Sequence, residues 1–304
     1  ALPILGAMAR DPEWAKLPIA QMLAEYGLSL HYKEEVSSCL KVETDQGLFR
    51  LKCFAYPASE FPFVYALAQY LAQRGFPYPE RIQPTRQDQW GIVHRGKFYY
   101  LATWQEGITD FELDTETLRE VGSLLGSLHY HSQGFQITHP VHCARIQWGI
   151  WPEKLAHRYS ELQEFAGLAK VGTTAFDGLF SKQAPAFLAA AEEALQKLER
   201  LLASYQYANI VNQDRQASYV CHRDFIPGNL VKRPAGILVL IDFDNAAYAE
   251  RIDDLAKMLR YFSQWQLSKA EDLLVGYEKW FPLSKEEIRL IRAFLDFPME
   301  YWQL

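Results

Sequence analysis

Apolar and polar residues alternate over much of the first hundred positions, as in β-strands with one buried face. The segments CLKVET and LFRLKCF alternate in this way around the short sequence DQG. They predict a hairpin whose turn lies at Asp45, Gln46 and Gly47. The segment QWGIVHRGKFYYLATW predicts two further strands around HRGK. The N-terminal part is therefore expected to be a small antiparallel sheet.

Two helices accompany this predicted sheet. Residues 17–27 read as a short amphipathic helix that ends at Gly27. Residues 60–74 place apolar side chains at helical spacing and end before Gly75. The first hundred residues thus predict a β-rich region with one helix inserted between its strands.

The pattern changes near residue 115, where apolar residues recur every three or four positions. This stripe is formed by Leu118, Val121, Leu125 and Leu128. Further helical stretches cover 153–166, 184–206 and 251–263, and a β-rich segment, 219–243, lies between the last two. We predict an α+β fold with two lobes, an N-terminal lobe at 1–106 and a C-terminal lobe at 107–304. The segment 103–110 is the expected hinge.

Composition narrows the class of protein. The 304 residues are 49% hydrophobic and 14% aromatic, which predicts a substantial core. A net charge of −6 argues against a nucleic-acid-binding protein, because such proteins carry a basic face. No apolar run approaches the roughly 18 residues of a membrane span, and no basic stretch precedes the apolar start to suggest a signal peptide. Four cysteines without a CxxC pair are typical of reduced thiols, so we expect a cytoplasmic protein.

The segment CHRDFIPGNL carries the first candidate chemistry. It contains His222-Arg223-Asp224 and, five positions after the Asp, Asn229. The apolar strand GILVLID then ends at Asp242. Protein kinases use an Asp and an Asn at this spacing, a later metal-binding Asp and a lysine on an earlier strand. Lys52 in LFRLKCF supplies that lysine, so the residues that phosphoryl transfer needs occur in the right order.

The same region resembles the aminoglycoside phosphotransferase and choline kinase branch of the protein-kinase-like fold. That branch typically shows H-x-D-x-x-x-x-N, then I-D-[FWL]-[DEGS], then Asp-Leu-Ala. Here the second and third motifs read Ile241-Asp242-Phe243-Asp244 and Asp254-Leu255-Ala256. LLGSLHYHSQGF at 124–135 is similar to the L-x-x-LH helix of the branch. The segments LKVETDQGLFRLK and YYLATWQEG and the Trp148/Trp151 region most resemble CotS-like spore coat proteins.

The resemblance implies a bilobal protein-kinase-like fold, ATP and Mg²⁺ as cofactors, and a role for each matched residue. Asp224 would take the proton of the acceptor, while His222 would orient the loop that contains Arg223. Asn229 and Asp242 would hold the metal ion. Asp254 would be a buried brace for the loop.

Nucleotide binding is likewise assigned by resemblance. Lys52 would contact the α- and β-phosphates. Glu60 is its predicted acidic partner, with a cap of the helix that follows as the alternative role. Backbone groups of one segment would meet the adenine; this segment is Thr103, Trp104, Gln105 and Glu106. The phosphate-covering loop should fall in EEVSSCLK, residues 34–41, which lacks a G-x-G-x-x-G pattern. Ser37 and Ser38 stand where small residues let backbone amides approach phosphates.

Two other interpretations fit parts of the sequence. The segment LVLIDFDNA resembles the start of the haloacid-dehalogenase phosphatase motif, with Asp242 as nucleophile and Asp244 as acid/base. Ala246 replaces its Thr or Val, and only about sixty residues follow, too few for the doubly wound sheet of that fold. Asp244 fits a turn or helix-capping residue as well as it fits a metal ligand. Histidines that could suggest a metal cluster match no standard zinc spacing: His129, His131, His139 and His142, the last two near Cys143.

The sequence predicts an ATP- and Mg²⁺-dependent phosphotransferase that acts on a hydroxyl of a small molecule. The other hypothesis is a kinase-like coat or scaffold protein with little or no turnover. The incomplete phosphate loop favours the second hypothesis; the set Lys52, Asp224, Asn229 and Asp242 favours the first. Expected partners are the nucleotide, the hydroxyl acceptor and, by resemblance, spore coat proteins assembled from the mother-cell cytoplasm. The acceptor cannot be read from the sequence.

Overall fold

A computed structural model describes residues 14–77, 80–137 and 143–299 of the chain. The described residues form two compact units, each assembled from separate stretches of sequence. Unit 1 takes the described residues of Ala1–Glu112, Phe135–Arg145 and Ile226–Ala246. Unit 2 takes those of Leu113–Gly134, Ile146–Phe225 and Ala247–Leu304. The domain boundary expected at residue 106 stays a prediction.

Unit 1 is built on an antiparallel sheet with the strand order β1-β2-β3-β6-β4, in which β5 also pairs with β6. A separate hairpin, β8–β9, and two helices complete the unit. Its elements are α1 (Ile19–Glu25), β1 (Leu30–Val36), β2 (Cys39–Thr44), β3 (Gly47–Phe54), α2 (Phe61–Gln73), β4 (Ile82–Gln83), β5 (Ile92–His94), β6 (Lys97–Thr103), β8 (Leu230–Lys232) and β9 (Leu238–Leu240).

The predicted hairpins are confirmed. Thr44 pairs with Gly47, so Asp45 and Gln46 form a two-residue turn between β2 and β3. His94 pairs with Lys97 across the predicted HRGK turn. Because side chains alternate along a strand, each strand of this sheet presents two different faces.

The two faces of the sheet pack against different helices. One face of the sheet packs against α1 and forms an apolar cluster with it, which includes Leu23, Leu40, Val42 and Leu51. On the other face, the Phe61 ring at the start of α2 packs against rings of β3 and β6; those rings are Phe54, Phe98 and Tyr100. Charged residues of β3 that alternate with the apolar ones therefore lie on the face with α2.

Unit 2 is mainly helical. It also contains a two-stranded antiparallel pair, β7 (Val220–Cys221) with β10 (Ala247–Tyr248). Its helices are α3 (Thr115–Ser132), α4 (Trp151–Val171), α5 (Ala175–Leu202), α6 (Tyr205–Ala217), α7 (Arg251–Phe262), α8 (Leu267–Tyr277) and α9 (Lys285–Leu295). Among these described helices, none combines the length and the apolar character of a membrane span.

The helix predicted over 184–206 is divided differently in the structure. α5 begins at Ala175, where Thr174 and Asp177 form a capping box, and ends at Leu202. Ser204 then caps α6 by accepting a hydrogen bond from the Tyr207 N–H. Local capping, which satisfies the first N–H groups of a helix, thus sets boundaries that apolar spacing alone misplaces.

Helices α3 and α8 approach unusually closely through two glycines. A Cβ atom at Gly122 would meet the Leu273 carbonyl oxygen inside van der Waals distance. One at Gly276 would likewise meet the Arg119 carbonyl oxygen. Glycine is required at both positions because backbone, which cannot move aside as a side chain can, occupies the space. This contact fixes the helix that carries His129 in unit 2.

Candidate active site

Lys52 lies at the centre of a buried charged cluster in unit 1. It projects from β3 on the same face as Arg50 and is 7% exposed. Its ammonium forms ion pairs with the carboxylates of Asp242 and Asp244, the second at 3.0 Å. Burial opposes the charge, but the two carboxylates outweigh it and raise the pKa of Lys52 above its usual value. Lys52 is therefore a fixed cation.

Asp242 adopts a strained backbone. Its φ of 70° lies in the left-handed region, which residues with a side chain rarely occupy. Its N–H donates to Glu80 Oε2 at 3.1 Å. Strain of this kind persists only where surrounding contacts impose it, and it concentrates at functional sites. Glu80 supplies one such contact.

Three residues that sequence reasoning missed complete the cluster: Arg50, Glu80 and Tyr100. The Arg50 guanidinium pairs with Glu80 Oε1 at 2.9 Å and donates to the Tyr100 hydroxyl at 3.2 Å. Tyr100 in turn donates to Asp244 Oδ1 at 2.8 Å. Two cations thus share three carboxylates among buried partners. The sequence does contain a signal for Arg50. It lies two residues before Lys52 on one strand, and this spacing places both cations on the same face of the sheet.

Asp244 is a buried member of this cluster. It lies in a 3₁₀ turn, Phe243–Asn245, and is 3% exposed. Its side chain is taken up by Lys52 and Tyr100 and does not cap a helix. Asp244 thus lies in a turn, as the sequence predicts, and its carboxylate also contacts Lys52.

Glu60 was predicted to pair with Lys52, and the structure pairs it with Arg145 instead. The Arg145 Nε lies 2.8 Å from Glu60 Oε2, and both side chains are almost fully buried. Arg145 also donates to the carbonyl oxygens of Asp244, at 2.6 Å, and Ala246, at 2.9 Å. Arg145 lies far from Glu60 in sequence, which is why the local pattern gave no indication of it. Glu60 therefore supports the Asp244 segment through Arg145.

Asn229 and Asp242 lie at the same end of the β8–β9 hairpin. Asn229 directly precedes β8, and the Ile241 N–H after β9 donates to the Asn229 carbonyl oxygen at 2.9 Å. Asp242 follows at once. Asn229 is 9% exposed. An amide and a carboxylate oxygen at one hairpin end are the kind of hard ligands that Mg²⁺ prefers, so these residues fit the predicted ion.

The segment predicted to cover the phosphates is a tight turn. Val36 pairs with Cys39, so only Ser37 and Ser38 lie between β1 and β2. Both are exposed, and Ser37 has a positive φ of 52°. The remainder of 34–41 belongs to strands. Whether these two residues meet phosphates stays a prediction.

The segment predicted to meet adenine follows β6 in unit 1. The N–H groups of Thr103 and Trp104 already donate to the carbonyl oxygens of Arg81 and Leu48, at 3.0 and 3.1 Å. The Gln105 side chain bonds to Arg233 and Thr103, and Glu106 is exposed. A ligand at this strand end would therefore have to use other backbone groups of the segment.

The loop His222–Asp224 belongs to unit 2, where Asp254 holds it. The N–H groups of His222 and Arg223 donate to the two carboxylate oxygens of Asp254, at 2.6 and 2.7 Å. The Asp224 N–H donates to His222 Nδ1 at 3.3 Å. Arg223 has a left-handed φ of 65°, so this loop is also strained. These bonds agree with a brace at Asp254 and an orienting bond from His222, and the two roles stay predictions.

Asp254 also lies beside His129 and Cys221. This is the group of three metal-ligating side chains found among the residues that the structure describes. His129 Nε2 lies 3.4 Å from Asp254 Oδ2, and its Nδ1 bonds to the Tyr277 hydroxyl at 2.9 Å. Burial lowers the pKa of His129, so the ring is neutral near pH 7. Since Asp254 already accepts two backbone bonds, the group is a hydrogen-bonded support for the loop.

The other histidines give no further cluster within the described residues. His131 bonds to the Ser127 carbonyl oxygen one turn earlier, at 2.7 Å. His139, His142 and the Cys143 side chain lie outside the described residues. The three cysteines whose side chains are described, Cys39, Cys53 and Cys221, are free thiols.

Sequence comparison places the motifs in a known context. The sequence model of the phosphotransferase enzyme family matches residues 40–289. Spore coat protein S of Bacillus subtilis is 26% identical over 269 residues, which cover 85% of this chain and 73% of that protein. Homoserine kinase of Gluconobacter oxydans is 25% identical over 256 residues, which cover 81% and 71%. A coat protein and an enzyme are thus similar to this chain to the same degree.

Solved structures share the fold. An aminoglycoside phosphotransferase from Alicyclobacillus acidocaldarius gives a TM-score of 0.77 at 20% identity, over 98% of this chain and 87% of that one. A spectinomycin phosphotransferase in complex with ADP and spectinomycin gives 0.64 at 13% identity, over 93% and 83%. The predicted α+β, protein-kinase-like fold is confirmed.

Proposed function

Because the chain belongs to the phosphotransferase enzyme family, we propose that it is a kinase that moves the γ-phosphoryl group of ATP to a hydroxyl of a small molecule. The family bears out the resemblance that the motifs around Asp224 and Asp242 predicted. It also excludes the haloacid-dehalogenase interpretation of Asp242 and Asp244, since the family match includes that segment.

One observation supports the proposal most strongly. Lys52 and Asp242, 190 positions apart in sequence, meet in a partly buried ion pair. A strand lysine and a carboxylate after a later strand are the two charged groups that kinases place at nucleotide phosphates. Burying such charges is costly unless they are paired, and here they pair with each other. A phosphate bearing a metal ion offers each of them a new partner.

The proposed reaction needs a base and a cation. The acceptor hydroxyl oxygen forms a bond to the γ-phosphorus, the bond from that phosphorus to the bridging oxygen breaks, and ADP leaves. The hydroxyl proton passes to the Asp224 carboxylate, which the backbone bonds of His222 and Arg223 to Asp254 hold in place. Lys52 neutralises charge on the phosphates.

Asn229 and Asp242 are the proposed Mg²⁺ ligands. When bound, the ion would neutralise charge on the phosphate oxygens of the nucleotide. Glu80 acts on the protein side, since it accepts the Asp242 N–H and so holds the left-handed backbone that directs this carboxylate. Nucleotide use is supported by the related structure that contains ADP.

The test combines binding with turnover. Melting curves with and without millimolar ATP and Mg²⁺ should show stabilisation, because a ligand that binds only the folded state stabilises it by mass action. Slow ADP release should then disappear in Asp224→Asn while the melting shift remains. If neither ATP with Mg²⁺ nor ATP with Mn²⁺ shifts the melting curve, the kinase proposal is wrong.

A structural role in the spore coat is the second candidate. The likeness to spore coat protein S and the two-residue Ser37–Ser38 turn support it. In that role the chain would keep the fold with little turnover and would bind other coat proteins as partners, after synthesis in the mother-cell cytoplasm. A melting shift with ATP and Mg²⁺ that is unaccompanied by any ADP release would favour this candidate.

A further inference from the structure

A group of cations surrounds one buried carboxylate in unit 2. Asp253, in the first turn of α7, is 2% exposed. Lys257 Nζ lies 3.1 Å from Asp253 Oδ1, and Arg223 Nε lies 3.6 Å from Oδ2. Lys257 also donates to the Arg223 carbonyl oxygen at 2.6 Å. Two cations are thus held against a single acid.

Helix α4 adds two more cations. Lys154 and Arg158 are separated by one helical turn, and Asp253 and Arg223 act electrostatically on both. Burial, together with the neighbouring cations, lowers the pKa of Lys154 well below its usual value and that of Arg158 to about 10. We call Lys154, Arg158, Arg223 and Lys257 the basic cluster.

Within the described residues, one buried acid interacts with every member of the basic cluster. Asp253 is shared by all four cations, and Glu161 acts on Arg158. Arg223 Nε is buried and finds no hydrogen-bond partner among the described residues. A buried cation without a full set of partners is costly. An anionic ligand would supply a hydrogen-bond acceptor for the Arg223 Nε.

The basic cluster adjoins the proposed base. Arg223 directly precedes Asp224, and Lys257 holds the carbonyl of the peptide that joins them. A ligand group bound by these cations would lie next to the group that takes the acceptor proton.

We infer that the acceptor carries a carboxylate or a phosphate, which the basic cluster binds, so that the enzyme phosphorylates hydroxyl compounds of negative charge. This inference rests on the proposed kinase function. It also assigns Lys154 and Arg158, which no sequence motif indicates, to acceptor binding. Charge-assisted bonds between cations and such oxygens are among the stronger polar contacts in proteins.

Four small probes that share a hydroxyl test the sign of the acceptor charge: D-glycerate, sn-glycerol 3-phosphate, glycerol and choline. ADP release with ATP and Mg²⁺ gives kcat/KM for each. One of the two anions should exceed both glycerol and choline by about tenfold or more, the effect of one charged contact. The preferred anion tells carboxylate from phosphate. A kcat/KM for choline or glycerol equal to that of both anions overturns the inference.

A binding measurement separates this inference from the kinase proposal. Lysine acylation followed by mass spectrometry reports the reactivity of Lys154, with exposed Lys170 on the same helix as the reference. The anions should slow labelling of Lys154 relative to Lys170, because a bound anion favours the charged ammonium; glycerol and choline should not. Protection of Lys154 by an anion, with no melting shift from ATP and Mg²⁺ or Mn²⁺, would support the anion site and reject the kinase. Turnover of choline, with no protection of Lys154 by an anion, would support the kinase and reject the anion site.

Charge variants give a third measurement. Lys154→Met should raise the KM of the preferred anion about tenfold, and Lys154→Arg should restore much of the affinity. Lys170→Met is the matched control, and melting curves verify that each variant is folded. An unchanged KM in Lys154→Met would remove Lys154 from the site.

Discussion

The two units hold their candidate functional groups by different kinds of bond. In unit 1, Lys52 is held by side-chain ion pairs to Asp242 and Asp244. In unit 2, the His222–Asp224 loop is held by backbone N–H groups that donate to Asp254. Side-chain pairs can exchange partners when a charged ligand arrives, whereas backbone bonds fix the path of the chain. The charged cluster around Lys52 in unit 1 is therefore suited to bind a charged ligand. The loop in unit 2 is suited to keep its geometry.

The largest expected effect is on stability, from loss of the brace. Asp254→Ala leaves the N–H groups of His222 and Arg223 buried without acceptors, and should lower the free energy of unfolding by about 3–5 kcal/mol. Asp254→Asn keeps one acceptor oxygen, so its free energy of unfolding should fall by about half as much. Urea unfolding measures both. A loss under about 1 kcal/mol for Asp254→Ala would show that the loop does not depend on this brace.

The next prediction uses two acids of unit 2 that lie one turn apart. Burial raises the pKa of Glu250 to about 7, whereas the cations around Asp253 outweigh burial and lower its pKa to about 2. Folding thus favours protonated Glu250 and ionised Asp253. The stabilisation from Glu250 is complete below its unfolded pKa near 4.5 and disappears as pH rises through about 7.

Urea unfolding at pH 5 and pH 8 tests this difference. From pH 5 to pH 8, the free energy of unfolding of the wild-type protein should fall by about 2–3 kcal/mol more than that of Glu250→Gln, because the amide of the variant does not titrate. Asp253 contributes no slope in this range, because its stabilisation is lost only as pH falls from about 3.8 towards 2. Equal slopes for the two proteins would contradict the raised pKa of Glu250.

The third prediction concerns the exchangeable partners of unit 1. Asp242→Ala removes a proposed metal ligand, and should abolish the melting shift with ATP and Mg²⁺ and lower ADP release by about 10²-fold. Asp110→Ala, an exposed residue of the same unit, is the matched control. Retention of the full melting shift in Asp242→Ala would place the nucleotide elsewhere.

The smallest expected effect separates two buried acids of unit 1. Glu80→Gln weakens the contact to the Asp242 N–H, and should weaken the affinity for ATP with Mg²⁺ about fivefold. Glu60→Gln alters the pair with Arg145 and should change the affinity less. Calorimetric titration of folded protein compares them. A larger effect from Glu60 would restore the sequence prediction that this residue serves Lys52.

Sequence reasoning found the elements whose signal is local. The hairpins at β2–β3 and β5–β6 can be predicted from the alternation of apolar and polar residues and from the turn residues. Lys52 can be predicted as a candidate site residue because it lies on one of these strands. The ion pairs of Glu60 with Arg145 and of Arg50 with Glu80 could not be read in this way, because pairing across long sequence separations leaves no periodic pattern. Apolar spacing alone misplaces the boundary between α5 and α6, because it gives no weight to the capping residue Ser204.

The interleaving of the two units has a consequence for synthesis. Lys52 leaves the ribosome long before Asp242 and Asp244, its partners in unit 1. Until those residues emerge, Glu80 is the one carboxylate of the charged cluster on the chain, so the nascent sheet has two cations, Lys52 and Arg50, beside a single acid. Unit 2 must likewise wait for Asp254 before the His222–Asp224 loop is held. Unit 1 can therefore complete its charged cluster only after Asp244 has been translated, and unit 2 can hold its loop only after Asp254.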